Sequence, residues 1–310
     1  MEIKQKSFFS KKSKGFTLHL SWLIKIFNAK RWFKKGEGFT LAEILIVIGI
    51  IAFLSGIIVM VTARALEKAR ISRGLQFSAS ITHALGYYMI GEWKFENNLE
   101  DSSGNGNHGS WQSEEGKYEV NDDIPQLGMA GIFDGADYVE LPSAISENID
   151  SNITVEAWVY SDTLLDKSKY RAIITEKDTG DDNVEFSIYL DGKDHLFYAG
   201  FNDGGWYRVS EDETFPMNQW VQVAATYNGQ TIRLFRNGIE VAKKKFILPQ
   251  PLPPGTNGWR IGCRYNVVKS DSIWNGKIDE VRIYAETLTP AQIREHYVKG
   301  AKKRGLLTEK

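Results

Sequence analysis

Twenty consecutive residues without a charge, Ile44 to Ala63, constrain the fold of this chain more than any other feature. They read ILIVIGIIAFLSGIIVMVTA. A helix of that length covers about 30 Å, which is the thickness of the hydrocarbon core of a bilayer. A helix on the surface of a soluble protein has a polar face, and this segment has none. The sequence therefore predicts one membrane-spanning helix in this region.

Charge is distributed unevenly around the apolar segment. Residues 1–38 carry ten Lys/Arg and two Asp/Glu, a net charge of +8, whereas residues 39–310 carry 28 and 37, a net charge of −9. Because cytoplasmic flanks are rich in Lys and Arg, we expect a cytoplasmic N-terminus and an extracytoplasmic C-terminal domain. The acidic body argues against nucleic acid as a partner, since phosphate binding needs clustered cations. The single cysteine, Cys263, excludes an intramolecular disulfide.

The residues directly before the apolar segment carry a second signal, GFTLAE, from Gly38 to Glu43. Glu43 lies at the edge of the apolar segment, where a carboxylate is costly and indicates a function. Cleavage between Gly38 and Phe39 would create an α-amino group about one helical turn from Glu43, close enough for a charge pair. No small-residue cleavage site follows the apolar segment, so we expect the helix to be kept after processing.

This motif resembles the class III signal of type IV prepilins and of type II secretion pseudopilins. The resemblance implies that a prepilin peptidase cuts after Gly38 and methylates Phe39, and that Glu43 is the carboxylate used in subunit assembly. It also implies the membrane and other pilin or pseudopilin subunits as partners, with a location on a pilus or the cell surface. The leader is long for this family, and Glu37 stands where Lys is common.

Apolar residues continue at helical spacing to about residue 88, with no proline. We therefore expect a leader over residues 1–38 and one long α-helix over residues 39–90. A globular domain over residues 91–298 and a basic, solvated tail over residues 299–310 complete the expected organisation.

From Gly91 the sequence changes to short runs of Val, Ile, Tyr, Phe and Trp, separated by Gly, Asn and Asp. The alternation in TVEAWVY, from Thr154, is typical of a strand. Asn228-Gly229 and Asn237-Gly238 predict hairpins, because type I′ turns need positive φ at both positions. About twelve strands without a long helix predict a mainly β, antiparallel two-sheet sandwich, followed by a short helix capped by Thr289.

The region over residues 91–298 resembles the laminin-G-like jelly roll of the concanavalin A-type lectin/glucanase fold. The motifs that carry the resemblance are GEWKFEN from Gly91, DSSGNGNHG from Asp101, FDGADYV from Phe133, VEAWV from Val155, the segment Trp220–Gly229 and GKIDEVRIY from Gly276. The resemblance implies a jelly roll that covers about two-thirds of the chain.

The loop DSSGNGNHG concentrates small oxygen donors and glycines, and Ca²⁺ prefers oxygen ligands. The alternative is a solvated turn held by hydrogen bonds to Asx side chains. The family resemblance implies a structural Ca²⁺ near this loop, with Asp101, Asn105, Asn107 and Asp279 as its ligands.

The sequence also offers candidates for a sugar-binding site and for a glycosidase site. Sugar sites stack a ring on Trp or Tyr, and Trp206 and Trp259 lie next to turns or loops, so both are candidate ligand-binding residues; purely structural roles are the alternative. Retaining glycosidases need two carboxylates about 5–5.5 Å apart. The nearest match to the pattern of this fold, EKDTGD from Glu176, ends in Asp and reads as a turn. We therefore expect no catalytic residues and no enzyme activity.

These observations together predict a minor pilin-like subunit that displays a lectin-like domain for adhesion to surface glycans outside the cell. The alternatives are a pseudopilin of a type II secretion or DNA-uptake machine and a glycoside hydrolase held by a pilin-type anchor.

Overall fold

The computed structural model describes residues 40–57, 86, 88–112, 118–120, 128–162, 170–176, 184–253, 258–263 and 273–307. The chain divides into two compact units, Met1–Leu75 and Gln76–Lys310. The predicted processing residues Gly38 and Phe39 lie outside the described residues, so cleavage there stays a prediction.

In the first unit, helix α1 comprises residues 41–57. Thr40 caps it through a reciprocal pair of contacts: the Thr40 N–H donates to Glu43 Oε2 at 2.9 Å, and the Glu43 N–H donates to Thr40 Oγ1 at 3.3 Å. The large apolar side chains of α1 are exposed, from 46% at Ile44 to 78% at Leu41. Glu43 is thereby fixed in the first turn of an apolar helix.

The predicted helix over residues 39–90 is not supported at its full length. The helix described here is limited to residues 41–57, and most of the remaining stretch lies outside the described residues. Within the described part of the chain, no helix combines the length and the apolar character needed to cross a bilayer.

The second unit is a sandwich of two antiparallel sheets, as the sequence predicted. In chain order its strands are β1 Met89–Trp93, β2 Ser110–Trp111, β3 Tyr118–Val120, β4 Met129–Asp134, β5 Val139–Leu141, β6 Asn152–Tyr160, β7 Tyr170–Glu176, β8 Val184–Asp191, β9 Leu196–Asn202, β10 Trp206–Ser210, β11 Trp220–Asn228, β12 Thr231–Arg236, β13 Ile239–Lys245, β14 Trp259–Ile261 and β15 Asn275–Tyr284. The first sheet has the order β13-β12-β11-β6-β15-β4-β3, with β1 also paired to β15. The second sheet has the order β10-β9-β8-β7-β14-β5-β2.

The core lies between the two sheets because alternate residues of each strand are apolar. On β6, Val155 and Val159 belong to this core, whereas Trp158 belongs to a separate cluster on the opposite face. On β9, Phe197 and Phe201 point into the core. The alternation seen in the sequence therefore decides which side chains each sheet turns away from the core.

Helix α2, Pro290–Lys303, covers the outer face of the first sheet. Thr289 caps it in a capping box with Gln292, and Pro290 occupies the first turn, as predicted. Tyr297 of this helix stacks on Trp158 of β6 with ring centroids 5.8 Å apart.

The prediction of a solvated tail over residues 299–310 is wrong as far as the structure describes it. Residues 299–303 continue α2, and Arg304 is fully buried. The Arg304 guanidinium forms an ion pair with Asp279 of β15 and lies 4.2 Å from the ring centroid of Trp158. The sequence predicted a solvated Arg304 because its ion-pair partner, Asp279, lies on another element of the fold.

The two predicted hairpin turns behave differently. Asn237 and Gly238 have φ values of 52° and 70°, which fits the predicted type I′ turn. At the other turn only Gly229 has a positive φ, of 80°, so the type I′ prediction is wrong there. Asn228 instead uses its side chain, whose Oδ1 accepts a hydrogen bond from the Thr231 N–H at 2.8 Å.

Candidate functional site

A group of aromatic and polar side chains lies on the face of the second sheet that points away from the core. Residues directly opposite each other in antiparallel strands share a face, and the register pairs Tyr189 with Tyr198 and Asn202 with Trp206. Core residues such as Phe197 and Phe201 alternate with this set on β9. The set, termed the aromatic face, comprises Tyr170, Tyr189, Tyr198, Asn202, Trp206 and Arg208.

The rings of the aromatic face form one contiguous cluster. Tyr189 is fully buried at its centre and stacks on Tyr198, with centroids 5.4 Å apart and planes 8° from parallel. Tyr170 and Trp206 contact Tyr189 edge-on, at 5.9 and 6.5 Å. Tyr170, Tyr198 and Trp206 are only half-buried. Because each ring holds the next, the partly exposed rings present a rigid apolar surface.

Arg208 is fixed against these rings. Its Cζ lies 5.1 Å from the ring centroid of Tyr198, and its Nη1 donates to the Tyr189 hydroxyl at 3.0 Å. Gly200 is its cross-strand partner on β9. A Cβ on Gly200 would lie 2.2 Å from the Tyr207 carbonyl oxygen and 2.7 Å from the Arg208 Cβ, so no other residue fits beside Arg208.

Two more polar groups complete the surroundings of the rings. Burial raises the pKa of the Tyr198 hydroxyl to about 12, and the hydrogen bond that it donates to Asp194 at 2.6 Å adds to this effect. Tyr198 therefore stays a donor at all ordinary pH values. Asn202 is buried, and its Oδ1 accepts no hydrogen bond, so an unsatisfied acceptor lies opposite Trp206.

The structure separates the two tryptophans that the sequence proposed as ligand-binding residues. Trp206 lies half-buried on the aromatic face, and its role in binding stays a prediction. Trp259 is fully buried, belongs to the core and donates from Nε1 to Ser146 Oγ at 3.0 Å. A ligand role for Trp259 stays a prediction, but its full burial in the core favours the structural alternative.

Sequence reasoning missed Tyr198 and Arg208. The signal was present in WYRVS from Trp206, where alternate positions place Trp206 and Arg208 on one face of a strand that follows a Gly-rich turn.

The predicted calcium loop is held together by its own hydrogen bonds. Asp101 Oδ1 accepts from the N–H groups of Glu92 and Ser103 at 3.0 and 2.8 Å, and Oδ2 accepts from Ser103 Oγ and the Asn107 N–H at 2.8 and 3.0 Å. Burial opposes ionisation of Asp101, but these hydrogen bonds outweigh it and lower the pKa. A carboxylate has about four lone-pair sites, and all are engaged here.

The four predicted calcium ligands do not come together as one ligand set. Asn105 and Asn107 lie in the Asp101 loop, and their side-chain amides donate to the Ile90 carbonyl at 3.2 and 2.8 Å. Asp279 instead pairs with Arg304. Among the residues described, no group of three or more His, Cys, Asp or Glu side chains is arranged to hold a metal ion. The loop as placed fits the Asx-turn alternative, and calcium binding stays a prediction.

A second polar site lies under α2, around a cavity of about 370 Å³. Arg282 of β15 pairs with Glu92 at 2.7 Å and with Glu156 at 3.4 Å, and His296 of α2 contacts Glu156 at 2.8 Å. Burial raises the pKa of Glu156, but the charges and hydrogen bonds of His296 and Arg282 outweigh this and lower it. These groups satisfy one another, so the arrangement can hold the helix on the sheet without a ligand.

The possible glycosidase pair cannot be assembled from the described residues. Glu176 ends β7 and is buried, whereas Asp178 and Asp181 lie outside the described residues. The expectation of no enzyme activity therefore stays a prediction.

The comparisons with known proteins bear on the sandwich. Residues 133–294 match the family described as the concanavalin A-like lectin/glucanases superfamily, Laminin_G_3. No curated protein matches the chain. Among solved structures, one similar fold is domain 4 of AbnA, a GH43 extracellular arabinanase from Geobacillus stearothermophilus, in complex with arabinotriose. It has a TM-score of 0.54 at 22% identity, with 67% of this chain and 97% of that chain covered.

Two toxin structures are also similar in fold. One is botulinum neurotoxin type C, whose entry into cells depends on interaction with two ganglioside molecules. It has a TM-score of 0.53 at 15% identity, with 71% of this chain and 53% of that chain covered. The binding domain of Paraclostridial Mosquitocidal Protein 1 has a TM-score of 0.51 at 14% identity, with 69% of this chain and 52% of that chain covered. The present chain thus spans about half the length of these toxin domains, and identities this low establish the shared fold alone.

Proposed function

The chain belongs to the concanavalin A-like lectin/glucanase superfamily, and we propose that its jelly roll binds a carbohydrate on the aromatic face. The observation that carries the proposal is the half-buried Trp206, held edge-on against Tyr189 beside the fixed guanidinium of Arg208. A sugar ring needs an apolar surface for its C–H face and fixed polar groups for its hydroxyls. The arabinotriose complex of a similar fold supports this choice of ligand class.

We further propose that the chain is a pilin-like subunit that displays this domain outside the cell. The support comes from the GFTLAE motif at Gly38–Glu43 and from the charge-free segment that follows it. The exposed apolar side chains of α1 are suited to burial in a membrane or against the helices of neighbouring subunits. Glu43, held at the first turn, is positioned to meet an α-amino group from processing.

The carbohydrate proposal is tested by glycan-array binding of the full chain in detergent. Trp206→Ala is expected to lose most of the binding seen with the wild type, because a stacked sugar ring loses its platform. Ile247→Ala is the matched control, since Ile247 is 97% exposed and apolar but is not part of the aromatic face. An array on which the wild type binds nothing, or on which both variants bind as the wild type does, contradicts the proposal.

The pilin proposal is tested by the N-terminal mass of the protein isolated from cells that contain a prepilin peptidase. A chain that starts at methylated Phe39 is expected. A chain that keeps its leader under these conditions contradicts the proposal. Immunogold labelling on filaments then distinguishes a pilus subunit from a pseudopilin of a secretion or uptake machine.

A further inference from the structure

We propose that the aromatic face selects an anionic saccharide, whose acidic group pairs with Arg208 while its ring stacks on Trp206. This inference rests on the proposed carbohydrate function and adds the chemical class of the ligand.

Arg208 has hydrogen-bond donors that no described residue uses. A guanidinium carries five N–H donors, and the described contact of Arg208 uses Nη1 alone, on the Tyr189 hydroxyl. No carboxylate of the described residues lies within ion-pair distance of it. Five other arginines each pair with a carboxylate: Arg233, Arg236, Arg260, Arg282 and Arg304. Arg208 is thus a half-buried cation without a direct ion pair among the described residues, although the charge of Asp191 on β8 acts on it from beyond ion-pair distance.

Arg208 is also held in place before any ligand binds. Stacking on the Tyr198 ring and the bond to Tyr189 fix the plane of the guanidinium, and Gly200 leaves the room that this position needs. A fixed guanidinium can bind a carboxylate or sulfate through two parallel hydrogen bonds, and little side-chain entropy is lost when it does.

The spacing of Trp206 and Arg208 along β10 fits a single sugar unit. Trp206 and Arg208 are two residues apart on β10, which places their Cα atoms about 6.6 Å apart on one face. That separation suits one monosaccharide whose ring covers the indole and whose acidic substituent reaches the guanidinium. Asn202 lies opposite Trp206 in the strand register, and its buried Oδ1 has no hydrogen-bond donor among the described residues.

Two aspartates, Asp191 and Asp194, also lie near the aromatic face, so the preference for an anion must come from the directed donors of Arg208 and not from the net charge of the site. Asp194 is the acidic residue in contact with the rings, and the Tyr198 hydroxyl donates to it at 2.6 Å. Asp191 has its Oδ1 bonded to the Lys193 N–H at 2.9 Å. The charge of Asp191 acts on Arg208, but no ion pair joins the two side chains, so the guanidinium keeps donors for a ligand.

The test is isothermal titration calorimetry of the full chain in detergent against three matched probes. These are an oligogalacturonate, the same oligosaccharide with its carboxyl groups reduced to alcohols, and a sulfated neutral oligosaccharide. The wild type is expected to bind at least one anionic probe about tenfold or more tightly than the reduced one, as charge-assisted hydrogen bonds would give. The pair of anionic probes distinguishes a carboxylate from a sulfate.

The variants assign the preference to one side chain. Arg208→Gln is expected to bind the acidic and reduced probes equally, whereas Arg208→Lys should keep part of the preference as a point charge without the planar fork. Arg294→Gln is the matched control, because Arg294 also lies over a tyrosine ring, at 5.2 Å from Tyr297, but on α2. It should retain the wild-type preference, and circular dichroism checks that each variant is folded.

The outcomes separate this inference from the function on which it rests. If the wild type binds the acidic and reduced probes with equal affinity, or if folded Arg208→Gln keeps the preference, the inference is overturned while carbohydrate binding stands. If the wild type binds no saccharide on the array or in the calorimeter, the proposed function fails as well.

Discussion

Glu156 Oε1 and His296 Nδ1 lie 2.8 Å apart, although the two residues are 140 positions apart in the sequence. Glu156 lies on β6, is 1% exposed, and also contacts Arg282 Nη1 and the Tyr284 hydroxyl, each at 3.4 Å. His296 lies on α2. The buried carboxylate of Glu156 thus links α2 to β6, the central strand of the first sheet.

We expect His296→Ala to lower the free energy of unfolding by about 1–3 kcal/mol, because it removes a hydrogen bond to a buried charge. Lys299→Ala on the same helix is the control, since Lys299 is 58% exposed in its side chain and pairs with Glu295 on the helix surface. It should change stability by less than about 0.5 kcal/mol. Urea denaturation of both variants measures the difference, and equal effects would contradict the role given to Glu156.

Removing Arg304 should be still more damaging. Its side chain is fully buried between Asp279 and the ring of Trp158, so Arg304→Ala leaves a buried carboxylate without its partner. The expected loss is about 3–5 kcal/mol. Deleting residues 304–310 should have the same result, and the shorter deletion of residues 308–310 serves as the control because it spares Arg304 and its ion pair with Asp279. Thermal unfolding followed by circular dichroism checks this, and a wild-type melting temperature after the longer deletion would refute it.

Glu211 should make stability depend on pH in an unusual direction. Burial raises the pKa of this carboxyl to about 7, although Arg236 lies 3.0 Å away and acts in the opposite sense. The folded state therefore keeps its proton up to about pH 7, whereas the unfolded chain loses it near pH 4.5. Because the folded state binds more protons in this window, the Glu211 contribution to the free energy of unfolding falls as the pH rises through it.

Glu211→Gln should remove this part of the pH dependence. Urea denaturation at half-unit steps from pH 4.5 to pH 7.5 measures it, and Glu213→Gln is the control because the Glu213 side chain is 74% exposed. If the stability profiles of wild type and Glu211→Gln run parallel, the elevated pKa is wrong.

A substitution of Asp101 in the predicted calcium loop tests whether the loop binds Ca²⁺. Asp101→Ala removes four acceptor contacts, so we expect a loss of about 2–4 kcal/mol that is the same in EDTA and in millimolar Ca²⁺. Asp150→Ala, an exposed aspartate, is the control. A melting temperature that rises with Ca²⁺ in the wild type but not in Asp101→Ala would confirm the calcium prediction and contradict the interpretation of the loop as an Asx turn.

Strand alternation and turn residues were sufficient to predict the two-sheet sandwich and α2. TVEAWVY from Thr154 identified a strand, and Asn237-Gly238 identified a turn, because both signals are local. The same local signals did not predict the burial of Trp259, which depends on pairing with Leu141 and Glu176 of two distant strands.

For the candidate site, too, local sequence signals do not reveal which strands lie next to each other. Trp206 was selected from its turn, but its neighbours Tyr189 and Tyr198 come from two other strands and are visible only once the sheet order is known. Likewise, the burial of Arg304 follows from a partner on β15, which local spacing does not reveal.

The position of β1 has a mechanical consequence. The first strand of the sandwich begins at Met89, and its last residue, Trp93, pairs with Val281 of β15. The N–H of Glu92 on this strand donates a hydrogen bond to the Asp101 carboxylate. A force applied to the chain upstream of Met89 therefore reaches the sandwich through this short strand. Because Asp101 holds the Glu92 amide, we expect Asp101→Ala to lower the force at which β1 separates from β15 when the chain is pulled at its N-terminal side.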